Sequence, residues 1–299
     1  MTKYSLCHAS YRDGSNSIRI RDTWLRNSRF PSRVRHYLGF ERGDYGVANA
    51  YNVDPFMSFG MSADGLTLFA TTHSDNTVSA VRNWNAAASI AKEEFLIAIA
   101  DDLIPCKDWD IKLDDILSGQ LGKPRILTFT DDRCVSLRTL GADTLLPRHP
   151  GITREAYEEF GFLFSPDYES VGPDLEVLIE SLNRGWLIDA RSIKFHHSFN
   201  QVIDLNGDLV CGCAGESIDT TRGASQKIIH RDSIRAKKLL KERWGGAWMM
   251  VVKLACANRF ADFVYASMRM DTKNRPTTLL ALFNYYFWIS RANRRLINK

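Results

Sequence analysis

Phe95-Leu-Ile-Ala-Ile-Ala-Asp-Asp-Leu-Ile-Pro-Cys-Lys-Asp-Trp109 is the stretch on which the fold turns. Residues 95 to 100 are apolar without alternation, the pattern of a strand covered on both faces. The run ends abruptly in Asp101-Asp102, and Pro105 follows. Two carboxylates on a rigid strand end are hard oxygen ligands of the kind Mg2+ or Mn2+ takes, and such a cation neutralises a diphosphate. An acidic loop capping the next helix would show the same residues.

Working outward, Tyr4 to Ala9 reads as a buried strand that stops at the turn-forming cluster Ser10-Tyr-Arg-Asp-Gly14 and opens onto a helical pattern through Ile18, Ile20, Trp24 and Leu25. Val34 to Phe40 is a second strand, ending in an acidic loop at Glu41 and Asp44. Leu66 to Thr72 is a third, followed by Asn76 as N-cap and a helix from Thr77 to Lys92. Apolar strands that alternate with helices predict an α/β fold, a mostly parallel sheet sandwiched by helices. Ligands of such sheets sit beyond the carboxyl ends of the strands, where Ser10 to Arg12, Glu41 to Asp44 and Asp101-Asp102 would converge. Pro124 to Thr130, Trp186 to Ala190 and Ile193 to His196 read as further strands. Thr153 to Phe160 and Pro173 to Arg184 read as helices, and so do Ile234 to Trp244, Trp248 to Arg269 and Thr277 to Leu296.

The 299 residues carry 39 Lys+Arg against 35 Asp+Glu, 44% apolar and 25% charged residues. Collagen, coiled coil, disordered tail and disulfide miniprotein are excluded. The net charge of +4 hides a split. Residues 1–220 hold 22 basic and 31 acidic side chains, whereas residues 221–299 hold 17 and 4. The expected organisation is therefore an acidic catalytic domain over 1–220 and a basic helical appendage over 221–299. Scattered cysteines and a start without a cationic and then apolar run predict a cytoplasmic setting, peripheral to a membrane or in a host cytoplasm if phage-encoded. The longest apolar stretches, Trp248 to Ala257 and Thr277 to Ser290, fall short of the roughly 20 residues that span a bilayer.

Three further places could carry chemistry. His196-His197 follows a strand, and a metal held by carboxylates often takes an imidazole too, although adjacent strand residues face opposite ways. Asp174 and Glu176 open a helix, where the dipole keeps a carboxylate ionised as a general base must be, while capping alone would select the same residues. Cys211-Gly-Cys213 lacks the second pair that a zinc site needs. His8 and Ser10 are close in sequence without the Gly-x-Ser-x-Gly elbow of a hydrolase. Neither Gly-x-Gly-x-x-Gly nor Gly-x-x-x-x-Gly-Lys occurs, which argues against dinucleotide oxidoreductases and P-loop enzymes.

Over roughly residues 3–200 the ordered features resemble family 2-like glycosyltransferases of the GT-A fold. The matching pieces are Ala9-Ser-Tyr-Arg12, Gly39-Phe-Glu-Arg-Gly-Asp44, Val81-Arg-Asn-Trp-Asn-Ala-Ala87, Ala100-Asp-Asp102 with Pro105 and Trp109 behind it, Phe162-Leu-Phe-Ser-Pro-Asp-Tyr168 leading to Asp174, Ile188-Asp-Ala, and His196-His197. The resemblance implies a nucleotide-sugar donor, with Ser10, Tyr11 and Arg12 lining the nucleotide pocket and Glu41 or Asp44 at base or ribose. It implies Arg82 and Asn85 at the sugar or diphosphate, Asp101 as the sugar-proximal carboxylate, and Asp102 with one of His196 and His197 holding Mn2+ or Mg2+. Asp174 or Glu176 would deprotonate the acceptor hydroxyl, Trp109 would lie on the acceptor side, and direct displacement of a hexosyl or pentosyl group would invert the sugar. The chain departs from the family at Ala100, where members often carry another carboxylate, and at His8-Ala9, where they tend to an apolar residue and proline.

Outside that match, Arg231, Arg235, Lys237, Lys238, Lys241 and Arg243 crowd thirteen residues of helical pattern, and aromatic residues follow. Cationic helices with aromatic faces suit a polyanion, either nucleic acid or an anionic membrane surface. The acceptor is then modified DNA, as with phage enzymes, or a surface or lipid-linked glycan. The alternatives are a helical end that packs on the catalytic domain or on a second copy, as a homo-oligomer would, and a binding protein whose sheet has lost catalysis.

Overall fold

A computed structural model of the chain describes residues 3–73, 78–131, 146–197, 201–203, 209–211 and 222–245. In chain order the elements are β1 (Tyr4–Ala9), α1 (Gly14–Arg26), β2 (Val34–Glu41), α2 (Tyr45–Tyr51), β3 (Phe59–Met61), β4 (Thr67–Thr72), α3 (Ala80–Ile90), β5 (Phe95–Ala100), β6 (Leu103–Pro105), α4 (Trp109–Leu117), β7 (Ile126–Asp131), β8 (Gly151–Thr153), α5 (Arg154–Phe160), α6 (Pro173–Asn183), β9 (Leu187–His197), β10 (Gln201–Ile203), β11 (Leu209–Cys211) and α7 (Arg222–Trp244). Among the described residues, nine strands form one sheet in the order β3-β4-β2-β1-β5-β8-β7-β9-β6, and β10 and β11 form a separate ribbon. The run β4-β2-β1-β5 is wholly parallel, β7 pairs in parallel with β9, and β3, β8 and β6 are antiparallel to their neighbours.

β5 shows why the sheet is covered on both sides. Phe95, Ile97 and Ile99 pack with Tyr4 and Leu6 of β1 against Ile20 and Trp24 of α1 and Trp109, Leu113 and Leu117 of α4. The intervening Leu96 and Ala98 pack with Cys7 against Val81, Ala87 and Ala88 of α3, Ala156 of α5 and Val177, Leu178 and Leu182 of α6. Both sets of alternate residues are apolar because both faces are dry. Ala236, Leu240 and Trp244 of α7 join the second cluster. The described part of the region beyond residue 220 is therefore built onto the sheet domain rather than standing apart from it.

Local chemistry sets the helix starts. Asp13, Asp44, Ser79 and Thr153 each accept a hydrogen bond from a first-turn N–H of α1, α2, α3 and α5. The cap of α3 is thus Ser79, not the expected Asn76, which lies outside the described residues. The acidic pair leads into a short strand, β6, which ends at Pro105, and the two strands expected over 186–196 are one long strand, β9. The helices expected over Trp248–Arg269 and Thr277–Leu296, and the Cys211-Gly-Cys213 pair apart from the backbone of Cys211, lie outside the described residues.

One contact at each end of the sheet fixes a helix against it. A Cβ on Gly39 would lie 1.8 Å from the Asn83 carbonyl oxygen, so only glycine lets α3 lie against β2. At the other end of the sheet, Asp114 of α4 takes both arms of the Arg33 guanidinium, at 2.8 and 2.9 Å, and is also bonded by Lys3 and the Tyr4 hydroxyl. Burial alone would raise its pKa, but these partners hold it at about 2, against 3.8 for a free side chain.

Gly39→Ala is expected to destabilise strongly, by roughly 3 kcal/mol or more through overpacking against backbone that cannot give way, as read by urea denaturation. Asp114 has a depressed folded pKa, so its contribution is full above about pH 4 and is lost as pH falls from there toward 2. Melting temperatures of wild type and Asp114→Asn should therefore differ at pH 6 and converge between pH 4 and 2.

Candidate active site

The carboxyl ends of β1, β2, β4 and β5 lie side by side, and Asp101 ties the outermost residues of β1 and β5 together. Its Oδ2 accepts the Ser10 hydroxyl at 3.0 Å and the Tyr11 N–H at 3.4 Å. Its Oδ1 lies 2.9 Å from His8 Nε2, although the ring N–H is not aligned on that oxygen. Asn16 of α1 donates to the Asp101 carbonyl at 2.7 Å. Ser10 is buried and holds the carboxylate, while Tyr11 and Arg12 are exposed at the edge, with the Arg12 guanidinium 4.7 Å from the Tyr11 ring centre.

The neighbouring loop is set by backbone contacts. Arg12 has a left-handed backbone, φ 65°, and donates its N–H to Asp44 Oδ2 at 2.8 Å, while the same carboxylate caps α2. Asp44, expected at base or ribose, is occupied in joining the β1 and β2 loops. Glu41 was expected there too, but it is 5% exposed, and its Oε1 accepts from the Ser79 N–H at 3.2 Å and Arg82 at 3.4 Å. Glu41 thus anchors the start of α3.

Along α3, Asn83 donates to the Ser10 carbonyl at 3.2 Å and accepts the Thr72 hydroxyl at 2.9 Å, bridging the ends of β1 and β4. Trp84 donates to the Ile99 carbonyl at 2.6 Å. Asn85, expected at the sugar or diphosphate, instead holds the segment before α6: its amide donates to the Phe164 carbonyl at 2.7 Å and accepts the Leu163 and Phe164 N–H groups at 2.9 and 3.0 Å. With both amide ends engaged in backbone bonds, it supports the site from behind.

Sheet register brings the histidines to the acidic pair. β6 begins directly after Asp102 and pairs antiparallel with the end of β9, Leu103 opposite His197 and Ile104 opposite His196. Residues about ninety positions apart in sequence thereby share one strand end. Asp102 and His196 are half-buried and both engaged with neighbours, and the side chain of His197 lies outside the described residues.

The two carboxylates of α6 separate into different roles. Asp174 sits half-buried in the first turn, with Oδ1 accepting the Leu175 N–H at 3.0 Å. Glu176 is buried and paired with Arg243 of α7 at 2.5 Å. Burial alone would lower the Arg243 pKa, but Glu176 and Asp167 push it up. A carboxylate locked to a guanidinium is a poor general base. Trp109, expected on the acceptor side, is 1% exposed, with its indole N–H on the Trp24 carbonyl at 3.0 Å. It belongs to the core because its helix packs beneath β5, and it cannot touch a ligand.

Part of the basic end is also consumed internally. Arg231 and Arg235 both pair with Glu169 at 2.8 Å, and Arg243 bonds Glu176 and Asp167. His36, Thr67 and Asn83 were absent from the sequence-based candidates because none lies at the carboxyl end of a strand. His8, the one imidazole in a largely apolar strand, was the visible signal, since a buried imidazole needs partners. Glu176→Gln is expected to lower stability by about 1–2 kcal/mol, the partial exposure of Arg243 limiting the loss, and to leave ligand binding at the Asp101 edge unchanged in calorimetric titration.

No protein-family model and no curated protein matches the sequence. Among solved structures, the mannosyltransferase PcManGT from Pyrobaculum calidifontis, in complex with GDP-Man and Mn2+, aligns with a TM-score of 0.53 and 14% identity over 99% of this chain and 79% of that one. S. aureus TarS 1-349 in complex with UDP aligns at 0.47 and 12% identity over 66% of this chain, which spans 61% of the TarS chain. The same protein with UDP-GlcNAc aligns at 0.49 and 12% over 89% and 79%. The α/β sandwich described above is therefore GT-A-like in fold, the architecture it shares with PcManGT.

Proposed function

We propose that this chain is a glycosyltransferase that moves a sugar from a nucleotide-sugar donor to an acceptor hydroxyl with inversion. The observation that carries the reading is the strand-end carboxylate Asp101, held by Ser10 and Tyr11, with Asp102 next to it and the exposed Arg12 on the same loop. An edge with fixed acceptors for sugar or ribose hydroxyls and a cation for phosphate is what such a donor needs. The GT-A-like fold supports it, since PcManGT holds GDP-Man and Mn2+ in the same architecture. Tyr11 and Arg12 line the nucleotide and diphosphate side, and Asp101 faces the sugar. Ser10, Glu41, Asp44, Arg82 and Asn85 keep that edge in shape.

The donor set also fits a divalent cation. Among the described residues no three His, Cys, Asp or Glu side chains form a ready-made cage. Mg2+ and Mn2+ do not require one, because a hard cation of this kind is typically bound through one or two carboxylates, substrate phosphates and water. Asp102 with an imidazole of the His196-His197 pair would hold it. Such a cation, when bound, stabilises the charge of the departing diphosphate as a Lewis acid.

In the transfer step the acceptor oxygen attacks the anomeric carbon on the side opposite the diphosphate. Its proton passes to Asp174, the new C–O bond forms as the bond to the diphosphate oxygen breaks, and the nucleoside diphosphate leaves with that electron pair. The first-turn position of Asp174, where the helix dipole favours a negative charge, supports this role. Among the described side chains of α7, Lys237, Lys238 and Lys241 are exposed lysines, Lys238 beside Glu242 at 3.9 Å, and a polyanionic acceptor, DNA or an anionic membrane surface, would meet them. Because three arginines of the basic cluster are engaged internally, a purely binding role for this end has less support than a transferase.

A panel of uridine, guanosine and cytidine diphosphate sugars with Mn2+ tests the reading. At least one donor should raise the melting temperature and be consumed, since saturation at 100 Kd stabilises by about 2.7 kcal/mol. No shift with any donor would overturn it. Asp102→Ala should lower turnover by about 10²-fold or more, and equal turnover would remove the metal assignment. Asp174→Asn should lower kcat by about 10²–10⁴-fold with donor binding intact.

A further inference from the structure

His8 stands in the middle of a buried polar chain that the proposed reaction does not itself require. Arg21, His36, Thr67 and His8 are between 0 and 3% exposed, in the layer between the sheet and α1. Arg21 Nη1 lies 2.7 Å from Asp64 Oδ2 and 3.0 Å from Thr67 Oγ1. Thr67 Oγ1 is 3.0 Å from His36 Nδ1, and His36 Nε2 is 3.0 Å from His8 Nδ1. The chain ends with His8 Nε2 at 2.9 Å from Asp101 Oδ1.

The direction of the chain follows from its first member. A guanidinium only donates, so Thr67 Oγ1 must accept from Arg21 and has one proton of its own left to give. Among the described residues the acceptor within reach of that hydroxyl is His36 Nδ1. Burial, with His8 and Arg21 nearby, keeps His36 neutral. A neutral imidazole that accepts at Nδ1 carries its proton on Nε2, so His36 donates to His8 Nδ1. His8 then carries its proton on Nε2, the nitrogen 2.9 Å from Asp101 Oδ1, where the positive edge of the ring meets the carboxylate as a close polar contact rather than an aligned hydrogen bond. The reverse direction would set a nitrogen lone pair against a carboxylate oxygen and leave the Thr67 hydroxyl proton buried without an acceptor.

We propose that this one-way chain from Arg21 through Thr67 and His36 makes His8 a positioning residue, which turns the Asp101 carboxylate so that Oδ1 faces His8 and Oδ2 faces Ser10 and Tyr11. The role in donor binding rests on the glycosyltransferase reading; the direction of the chain does not. Asp101 is then oriented from inside the fold, and the group that sets the direction, Arg21, lies at the far end of the relay.

Nitrogen-15 imidazole NMR of the full chain tests the direction, with signals among the seven histidines assigned from His8→Gln and His36→Gln. Both residues should be neutral with the proton on Nε2. A His36 or His8 signal with the proton on Nδ1 would overturn the proposal, and through-bond correlation of each ring to its own backbone assigns the wild-type signals if a variant does not fold. Thr67→Val, which removes the hydroxyl at nearly constant shape, should mix the His36 tautomers and raise the donor KM about tenfold with little change in kcat. Thr67→Ser should restore both. Unchanged donor KM in a folded Thr67→Val would overturn the positioning role while leaving the transferase reading intact. Absence of donor turnover in wild type would count against the transferase reading and, with it, the positioning role, leaving the tautomers to decide the chain's direction.

Discussion

Burial of both faces of β1 and β5 is the constraint from which the rest follows. Between Phe95 and Ile99 no side chain reaches water, so polar chemistry on that strand first becomes possible at its carboxyl end, at Asp101 and Asp102. The same holds for β1, whose exposed residues begin at Tyr11. A sheet closed above and below by helices concentrates its reactive groups on one edge because nowhere else along those strands is wet.

That edge is held by contacts that cross the fold. Gly39 lets α3 press on β2, Asn83 reaches from α3 to the ends of β1 and β4, and Asp44 joins the loops that follow β1 and β2. α1 and α3 begin at the same edge, so their N-terminal dipoles add positive potential there. Many carboxylates that the sequence suggested as ligand contacts are thereby structural, Glu41 and Asp44 among them. A strand-end acid can face a ligand or cap a helix, and residue type does not distinguish the two.

The charge split has a similar resolution. α7 carries its arginines where acidic residues of the 167–176 segment meet them, so opposite charges far apart in sequence cancel across an internal contact. Its apolar face, with Ala236, Leu240 and Trp244, completes the core against α3, α5 and α6. A basic composition read along the chain suggested a polyanion partner, but four of the six cations in the cluster from 231 to 243 answer carboxylates of the same molecule.

Periodicity and punctuation in the sequence determined the β-turn-α repeats, the doubly covered strands, the Thr153-capped start of α5 and the proline start of α6, and the gathering of Ser10, Tyr11, Arg12 and Asp101-Asp102 at one edge. These depend on local spacing and on the solubility of side chains, which a linear string records. Tertiary structure alone decided the pairing of β6 with β9 that brings His196 and His197 to Asp102, the burial of Trp109, the diversion of Glu176 to Arg243, and the polar chain that reaches Asp101 through His8. Those outcomes join residues from about 30 to 100 positions apart, where the identity of the partner, set by packing, determines whether a charged or polar group binds a ligand or holds the fold.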